Sequence, residues 1–210
     1  AHPEGPGRGP DPKPDSLLES ALPLPIEPAM DTRTSPIRLR IDRLRELLQR
    51  ERVQALLVPS SDPHLSEYLP GHWQGREWFS GFTGSMGTLV VTAEQALLFA
   101  DGRYWDQAER ELAGTGVTLE RIATGTSPAH IDWLATHVAR GQTVAVDGQV
   151  LGLAAALALQ AALDKAGVLL RTDRDLLAPV WPERPALPTA GQRARTPGGC
   201  RGESAAMCPR

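Results

Sequence analysis

One short segment of the sequence gathers side chains that could bind a metal ion or transfer protons. Asp62, His64 and Glu67 lie close together in the chain, and carboxylates and an imidazole suit both tasks. The same segment also suits a turn that leads into a helix, because Asp62 and Ser66 can hydrogen-bond to nearby backbone amides. We favour the turn and assign no catalytic role to these residues.

A run of regularly spaced glycines is the second candidate. Gly81, Gly84 and Gly87 stand three apart in the segment GFTGSMG. A dinucleotide-binding loop needs GxGxxG between a strand and a helix, whereas here a short predicted helix precedes the glycines and a strand follows them. The GxSxG nucleophile elbow is excluded because Thr83 stands where its first glycine is needed. We therefore expect tight turns and close backbone contacts.

The third candidate is the segment from Asp101 to Tyr104, between a predicted strand and a predicted helix. Ligand sites of α/β sheets favour the carboxyl ends of strands. Arg103 offers a planar set of donors for a carboxylate or a carbonyl group. The alternative is that Asp101 caps the helix and that Arg103 is a surface cation. The residues alone leave both interpretations open.

The spacing of the histidines and cysteines in the sequence does not predict a metal site. His130 and His137 stand seven apart on one predicted helix, whereas a metal-binding pair such as that of HExxH stands four apart. We expect both to be surface histidines. The only cysteines, Cys200 and Cys208, exclude a disulfide-stapled fold and form no CxxC pair. We therefore expect no metal ion or cofactor in this chain.

The composition of the chain indicates which binding partners to exclude and in which cellular compartment the protein is expected. The 210 residues are 41% hydrophobic and carry a formal net charge of -3, without the basic face that nucleic acid or anionic lipid would need. No apolar run approaches the roughly 18 residues that span a bilayer. The apolar patch at 21–26 is broken by Pro23 and Pro25 and does not read as a signal peptide. We expect a cytoplasmic protein that binds neither nucleic acid nor membrane.

Helical and strand periods alternate through the middle of the chain. Predicted helical segments cover residues 37–52, 76–82, 104–112, 128–137, 151–166 and a turn at 175–180. Predicted strands cover residues 53–58, 88–92, 96–100, 117–122, 143–146 and 168–171. In the helix 128–137 we expect Ser127 as the cap and Pro128 as the first residue. In the helix 151–166 we expect the leucines, including Leu157, to pack on the sheet. The alternation predicts an α/β sheet covered by helices.

Three regions follow from composition and pattern. Residues 1–35 are rich in proline and poor in apolar side chains, which predicts a disordered arm. Residues 36–188 carry the periodic pattern and are long enough for one independent core. Residues 189–210 are rich in glycine and arginine, and this composition predicts a disordered tail. A frameshift and a truncation are both open as the origin of this tail.

Several motifs between residues 59 and 105 carry a family resemblance. The segment contains PSSDPHLSEY, then REWFSGFTGSMGT, then DGRY, and WPERPALP follows at residues 181–188. In this order they resemble the first domain, and the linker after it, of three-domain Xaa-Pro aminopeptidases, the aminopeptidase P family. The resemblance covers residues 37–188. It implies the creatinase/prolidase N-terminal fold, a mixed β-sheet with helices on both faces.

The resemblance also implies how chemistry is divided in the complete enzyme. In that family a later domain holds two divalent metal ions, typically manganese, through two aspartates, one histidine and two glutamates. The metals activate a water that attacks the bond before a penultimate proline. This sequence contains none of those metal-binding motifs. We therefore expect a non-catalytic N-terminal domain, inactive by itself, whose partners are peptides with proline at the second position, reached through the complete enzyme.

Arg103 is the one functional residue that the resemblance implies, because the arginine of DGRY reaches toward the substrate pocket in three-domain members. A homodimer of the complete enzyme is among the assemblies that the resemblance allows. Two other functions stay open. One is a stand-alone peptide- or protein-binding module of the same fold. The other is a small independent enzyme, which would need Asp62, His64 and Asp101 to converge in one cleft.

Overall fold

A computed structural model describes residues 35–187. The predicted tail and, apart from Ser35, the predicted arm lie outside the described residues. The α-helices are α1 (Pro36–Glu51), α2 (Gly75–Ser80), α3 (Trp105–Leu112), α4 (Ala129–His137) and α5 (Leu153–Ala166). The strands are β1 (Ala55–Pro59), β2 (Thr88–Thr92), β3 (Ala96–Asp101), β4 (Thr118–Ile122), β5 (Thr143–Ala145) and β6 (Leu169–Arg171). Short 3₁₀ helices cover Gly71–Trp73 and Gly148–Val150.

The sequence of α1 explains where this helix begins, where it ends and which face it buries. Pro36 stands in the first turn, where its missing N–H costs nothing. Arg52 ends α1 in the left-handed conformation, with φ of 56°. The apolar spacing at positions 37, 41, 44 and 48 predicts the inward stripe of this helix. Ile41, Leu44 and Leu48 are buried together with Leu47, and Ile37 is half-buried. The prediction of an amphipathic helix is confirmed to within a residue at each end.

The six strands form one mixed sheet in the order β4-β3-β2-β1-β5-β6. The pairs β1–β5, β5–β6 and β3–β4 are parallel, whereas β2 is antiparallel to both of its neighbours. Five strands therefore run in one direction, and only β2 runs against them. The predicted mixed sheet is confirmed, and it gathers five strand ends at one edge.

Both faces of the sheet are covered, as the alternation along the central strands requires. In β1, Leu56 and Val58 face one core while Ala55 and Leu57 face the other. The first core contains apolar residues of α1, α2 and α3. The second contains residues of α4 and α5. The prediction of helices on both faces is confirmed.

The face that α5 turns to the sheet differs from the prediction. Leu157 is 62% exposed, whereas Leu159 is 1% exposed and Leu163 is fully buried. Leu159 follows Leu157 by two residues, about 200° around the helix. The prediction that Leu157 packs on the sheet is therefore wrong. Apolar residues surround most of this helix, so the pattern did not single out one face.

One predicted helix boundary needs correction, and one predicted turn is present. Helix α4 begins at Ala129, so Pro128 is its cap rather than its first residue. The Ser127 hydroxyl accepts a hydrogen bond from the Ala129 amide at 3.3 Å, within the turn that precedes the helix. The helical turn predicted at residues 175–180 is confirmed, since the Leu177 carbonyl oxygen accepts the amides of Val180 and Trp181, each at 3.0 Å. There the Asp175 carboxylate accepts the Leu177 amide at 2.8 Å and thereby satisfies the backbone locally.

The last described residues are fastened to the domain. The Trp181 ring stacks on the Trp78 ring of α2, with centroids 5.1 Å apart. Arg184 pairs with Asp175 and donates from Nε to the carbonyl oxygen of His72 at 2.7 Å. His72 Nδ1 in turn donates to the carbonyl oxygen of Pro185 at 2.7 Å. Within the described part of the chain, no helix is long and apolar enough to cross a membrane.

Candidate functional site

The carboxyl edge of the sheet brings together side chains that are distant in sequence. Strands β1 and β3 end there at Pro59 and Asp101, and β4 ends beside them at Ile122. The antiparallel strand β2 begins at the same edge, where Pro59 is paired with Thr88. Ligands of α/β sheets bind preferentially at such an edge. The DGRY segment and a cavity both lie here.

Asp101 and Arg103 form a two-pronged ion pair. Asp101, the last residue of β3, is only 4% exposed, while the Arg103 side chain is 65% exposed. Arg103 donates from Nε to Oδ1 at 2.9 Å and from Nη2 to Oδ2 at 2.8 Å. The Arg103 backbone amide adds a bond to Oδ1 at 3.1 Å. The carboxylate therefore holds the guanidinium in one orientation at the surface.

The pair settles which structural role Asp101 has. Its carboxylate does not cap α3, whose cap is Tyr104 without a side-chain bond. Instead it closes the turn that leads to Arg103. The hydrogen bonds from Arg103 lower the pKa of Asp101 despite the opposing effect of burial. Asp101 is therefore ionised at neutral pH, and the pair carries no net charge.

A cavity of about 210 Å³ lies beside this pair, and we refer to it as the edge cavity. Its polar lining residues are Ser60, Thr88, Asp101 and His130. Its apolar wall includes Leu57, Met86, Phe99, Ile122, Leu151 and Ala155. Gly125 also lines it, and a side chain there would lie 3.0 Å from Asp101 Oδ2 and 3.6 Å from Arg103 Nη2. The Arg103–Asp101 pair thus stands at the border of the cavity.

The two histidines of α4 have different surroundings. His137 is exposed, stacks on the Trp133 ring at 4.3 Å and donates to the Trp133 carbonyl oxygen at 2.9 Å. His130 is half-buried and lies edge-on to Phe99, with ring centroids 6.1 Å apart. Burial lowers the pKa of His130, so its imidazole is neutral at pH 7. The surface assignment is right for His137 and wrong for His130, since β3 and α5 supply neighbours that the helix pattern does not reveal.

The loop after β1 is a structural turn, as the sequence predicts. Asp62 is 1% exposed, and its Oδ1 accepts the amides of His64 at 3.0 Å and Ser66 at 2.9 Å. Burial raises the pKa of Asp62, but the hydrogen bonds from Ser66 and His64 outweigh that effect and lower it. His64 and Glu67 are exposed. Because Asp62 is committed to its own loop and Asp101 to Arg103, the arrangement does not support an independent enzyme built on them.

The glycine-spaced segment is also structural. Gly81 ends α2 with φ of 77°, and a side chain at Gly84 would lie 2.2 Å from the Phe82 ring. Arg76, 5% exposed, donates from Nε to the Ser60 hydroxyl at 2.9 Å. It also donates to the carbonyl oxygens of Phe82 and Gly84, each at 2.5 Å. The expected close contacts are confirmed, whereas the segment after Gly81 contains a bend at residues 85–86 rather than tight turns. Arg76 is the residue whose role the sequence reasoning missed, although it opens one of the quoted motifs.

Among residues 35–187, no group of three or more histidine, cysteine, aspartate or glutamate side chains is placed to hold a metal ion. The described residues therefore do not fit a pair of divalent metal ions. No chemical step through a metal is assigned to this part of the chain. What the edge offers is hydrogen-bond donors and an apolar cavity, which suit binding and orientation.

Sequence comparisons point to one family. The profile of the Creatinase/Prolidase N-terminal domain matches residues 40–174. A probable Xaa-Pro aminopeptidase P of Talaromyces marneffei is 38% identical over 151 residues, covering 71% of this chain and 23% of its own length. The corresponding protein of Arthroderma otae is 36% identical over 174 residues, covering 82% and 27%. The chain spans about a quarter of the length of the curated relatives it matches.

Solved structures share the fold. The X-prolyl aminopeptidase of Caenorhabditis elegans, described as a cytosolic enzyme with a di-nuclear active site, is 31% identical with a TM-score of 0.66. The match covers 72% of this chain and 26% of that enzyme. The N-terminal domain of the cytoplasmic peptidase PepQ from Mycobacterium tuberculosis is 23% identical with a TM-score of 0.53, covering 68% of this chain and 98% of that one. The second likeness supports the fold alone.

Proposed function

Because the chain belongs to the creatinase/prolidase N-terminal domain family, we propose that it acts as the non-catalytic first domain of an Xaa-Pro aminopeptidase. Such an enzyme removes the N-terminal residue from peptides with proline at the second position. The observation that carries the proposal is the exposed Arg103 guanidinium, held by Asp101 at the carboxyl edge of the sheet. In this proposal the domain spans residues 36–188 and contributes Arg103 to the substrate pocket.

Pairing with Asp101 leaves Arg103 able to bind a ligand. A guanidinium has five N–H donors, and Asp101 accepts two of them, which leaves three. Those on Nη1 and the second on Nη2 point away from the carboxylate because the group is planar. The ion pair therefore presents donors in a set direction, and little ordering is needed when a peptide arrives.

The chemistry belongs to the remainder of the enzyme in this proposal. A pair of divalent metal ions there, which the resemblance suggests are manganese, would activate the attacking water. Two observations support that division: the C. elegans enzyme has a di-nuclear active site, and residues 35–187 of this chain offer no group of side chains placed to hold a metal ion. Arg103 would bind and orient the peptide, Asp101 would hold Arg103, and Arg76 would hold the neighbouring loop. A cytoplasmic location and a homodimer of the complete enzyme belong to the same proposal.

A chimeric enzyme tests this proposal. Residues 35–187 would replace the corresponding domain of the C. elegans enzyme, which is 31% identical. We expect the chimera to hydrolyse Xaa-Pro peptides. Arg103→Ala should lower kcat/KM by roughly ten- to a hundred-fold, the equivalent of about 1.5–3 kcal/mol for a charge-assisted hydrogen bond.

The matched control is Arg110→Ala, which removes an exposed arginine of α3 in the same part of the chain. It should leave kcat/KM unchanged. A folded, metal-loaded chimera that is inactive, or one in which Arg103→Ala has the kinetics of the control, would contradict the proposal. Saturable peptide binding by the chain together with an inactive chimera would favour the stand-alone binding module instead.

A further inference from the structure

We propose that the edge cavity is a subsite for an apolar side chain of a bound peptide, and that Arg103 donates to the backbone carbonyl oxygen beside that side chain. This inference rests on the proposed function and specifies which part of the peptide this domain contacts. Neither the family resemblance nor the comparisons assign a role to the cavity.

The size of the cavity suits a side chain. Its volume of about 210 Å³ is several times the roughly 30 Å³ that one water occupies in the liquid. It is also below the roughly 300–1,000 Å³ of pockets that enclose whole drug-sized ligands. Buried Leu57 and Phe99 contribute to it from the sheet, and Ala155 lines it from α5. An occupant of this size would be one side chain rather than a complete small molecule.

The charges around the cavity favour a neutral, apolar occupant. Both Asp101 oxygens accept hydrogen bonds from Arg103, so the pair has no net charge to offer an ionic side chain. His130 is neutral at pH 7 because burial lowers its pKa. The remaining wall is mostly apolar. A charged side chain would lose hydration here without gaining a partner.

The same neutrality determines what Arg103 binds. A lone guanidinium attracts a carboxylate, but here the Asp101 charge cancels most of that attraction. The unused N–H donors can still bond to a neutral carbonyl oxygen. Gly125 places the two features together, because it lines the cavity and a β-carbon added to it would lie 3.6 Å from Arg103 Nη2 and 3.0 Å from Asp101 Oδ2. An internal peptide carbonyl with an apolar side chain beside it satisfies both.

Nuclear magnetic resonance titration of the 210-residue chain tests the subsite. The probe is N-acetyl-leucine N-methylamide, compared with the glycine analogue and with N-acetyl-leucine, which has a free carboxylate. We expect saturable shifts at Phe99 and His130, and a Kd for the leucine amide at least about tenfold lower than for the glycine amide. The free carboxylate should bind no more tightly than the leucine amide.

Two substitutions on α5 make a matched pair. Ala155→Trp adds a large side chain at the exposed rim of the edge cavity and should obstruct it, which should raise the Kd of the leucine amide at least about tenfold. Ala158→Trp adds the same side chain at an exposed position that does not line the cavity and should leave the Kd unchanged. Thermal unfolding followed by circular dichroism should show that both variants are folded. If Ala155→Trp does not fold, Ala155→Leu is the smaller substitution with the same expected direction.

The outcomes separate this inference from the proposed function. Equal binding of the leucine and glycine amides, no saturable binding of either, or wild-type affinity in folded Ala155→Trp would overturn the subsite. Preferential binding of the free carboxylate would overturn the role assigned to Arg103 in it. If the subsite fails but Arg103→Ala still impairs the chimera, the proposed function stands. If Arg103→Ala has no effect on the chimera, the proposed function itself fails.

Discussion

The Arg76 guanidinium lies over the Phe82 ring, 4.9 Å from its centroid, and donates a hydrogen bond to the carbonyl oxygen of the same residue. Burial lowers the pKa of Arg76 to about 10, against opposing effects of Glu77 and Glu111. The side chain is therefore still charged at neutral pH. Its bonds to Ser60, Phe82 and Gly84 offset the cost of burying that charge.

Arg76→Ala should destabilise the domain. The substitution leaves the carbonyl oxygens of Phe82 and Gly84 without their donor, and each unsatisfied buried group costs roughly 1–3 kcal/mol. We expect a loss of about 3 kcal/mol in the free energy of unfolding, measured by urea denaturation. Arg110→Ala, at an exposed position, should change it by less than about 0.5 kcal/mol. Similar midpoints for the two variants would show that the Arg76 bonds contribute little.

Gly84→Ala should also destabilise the domain. A β-carbon at this position would lie 2.2 Å from the Phe82 ring, which has to move away from its place beside Arg76. The cost of such overpacking is about 1–3 kcal/mol. The control is Gly102→Ala, whose added carbon meets only the Trp105 ring at ordinary contact distance. Equal thermal stability of the two variants would mean that the ring adjusts without cost.

Substitution of the α5 leucines should distinguish the two faces of that helix. Leu159→Asp places a carboxylate in the core and should cost several kcal/mol. Leu157→Asp lies on the outer face and should cost less than about 1 kcal/mol, the scale of helix propensity. Denaturation midpoints measure both. A severe effect at Leu157 would mean that its exposed side chain has a partner when the protein is in solution.

The Asp101 carboxylate should make stability depend on pH in the acid range. The pKa of Asp101 is lowered in the folded protein, mainly by the hydrogen bond from the Arg103 side chain. The ionised carboxylate therefore stabilises the fold fully above the unfolded-state pKa of about 3.9. This stabilisation is lost as the pH falls through the folded-state pKa. Asp101→Asn should therefore lower stability at pH 7 and flatten its fall below about pH 4. Asp106→Asn, on the exposed surface of α3, should not. Parallel pH curves for wild type and Asp101→Asn would contradict this linkage.

Local patterns predicted the elements well because their causes are local. The α1 stripe, the strands and the Asp62 turn depend on spacing, branching and hydrogen bonds between near neighbours. Apart from the start of α4, the errors lie where contacts with distant segments determine the structure. The surroundings of His130 come from β3 and α5, and the inward face of α5 depends on the sheet beneath it. The edge cavity combines five separate parts of the chain, and no single motif describes such a site.

The stacking of Trp181 on Trp78 and the hydrogen bond from His72 to the Pro185 carbonyl oxygen limit the motion of the last described residues. A fluorophore attached at Ala186 would therefore rotate with the whole domain rather than move independently of it. Its fluorescence anisotropy decay would report the rotational correlation time of the protein. Replacing Trp181 by alanine would add a fast decay component. The stacked rings and the hydrogen bond therefore fix the orientation of residues 181–185 relative to α2.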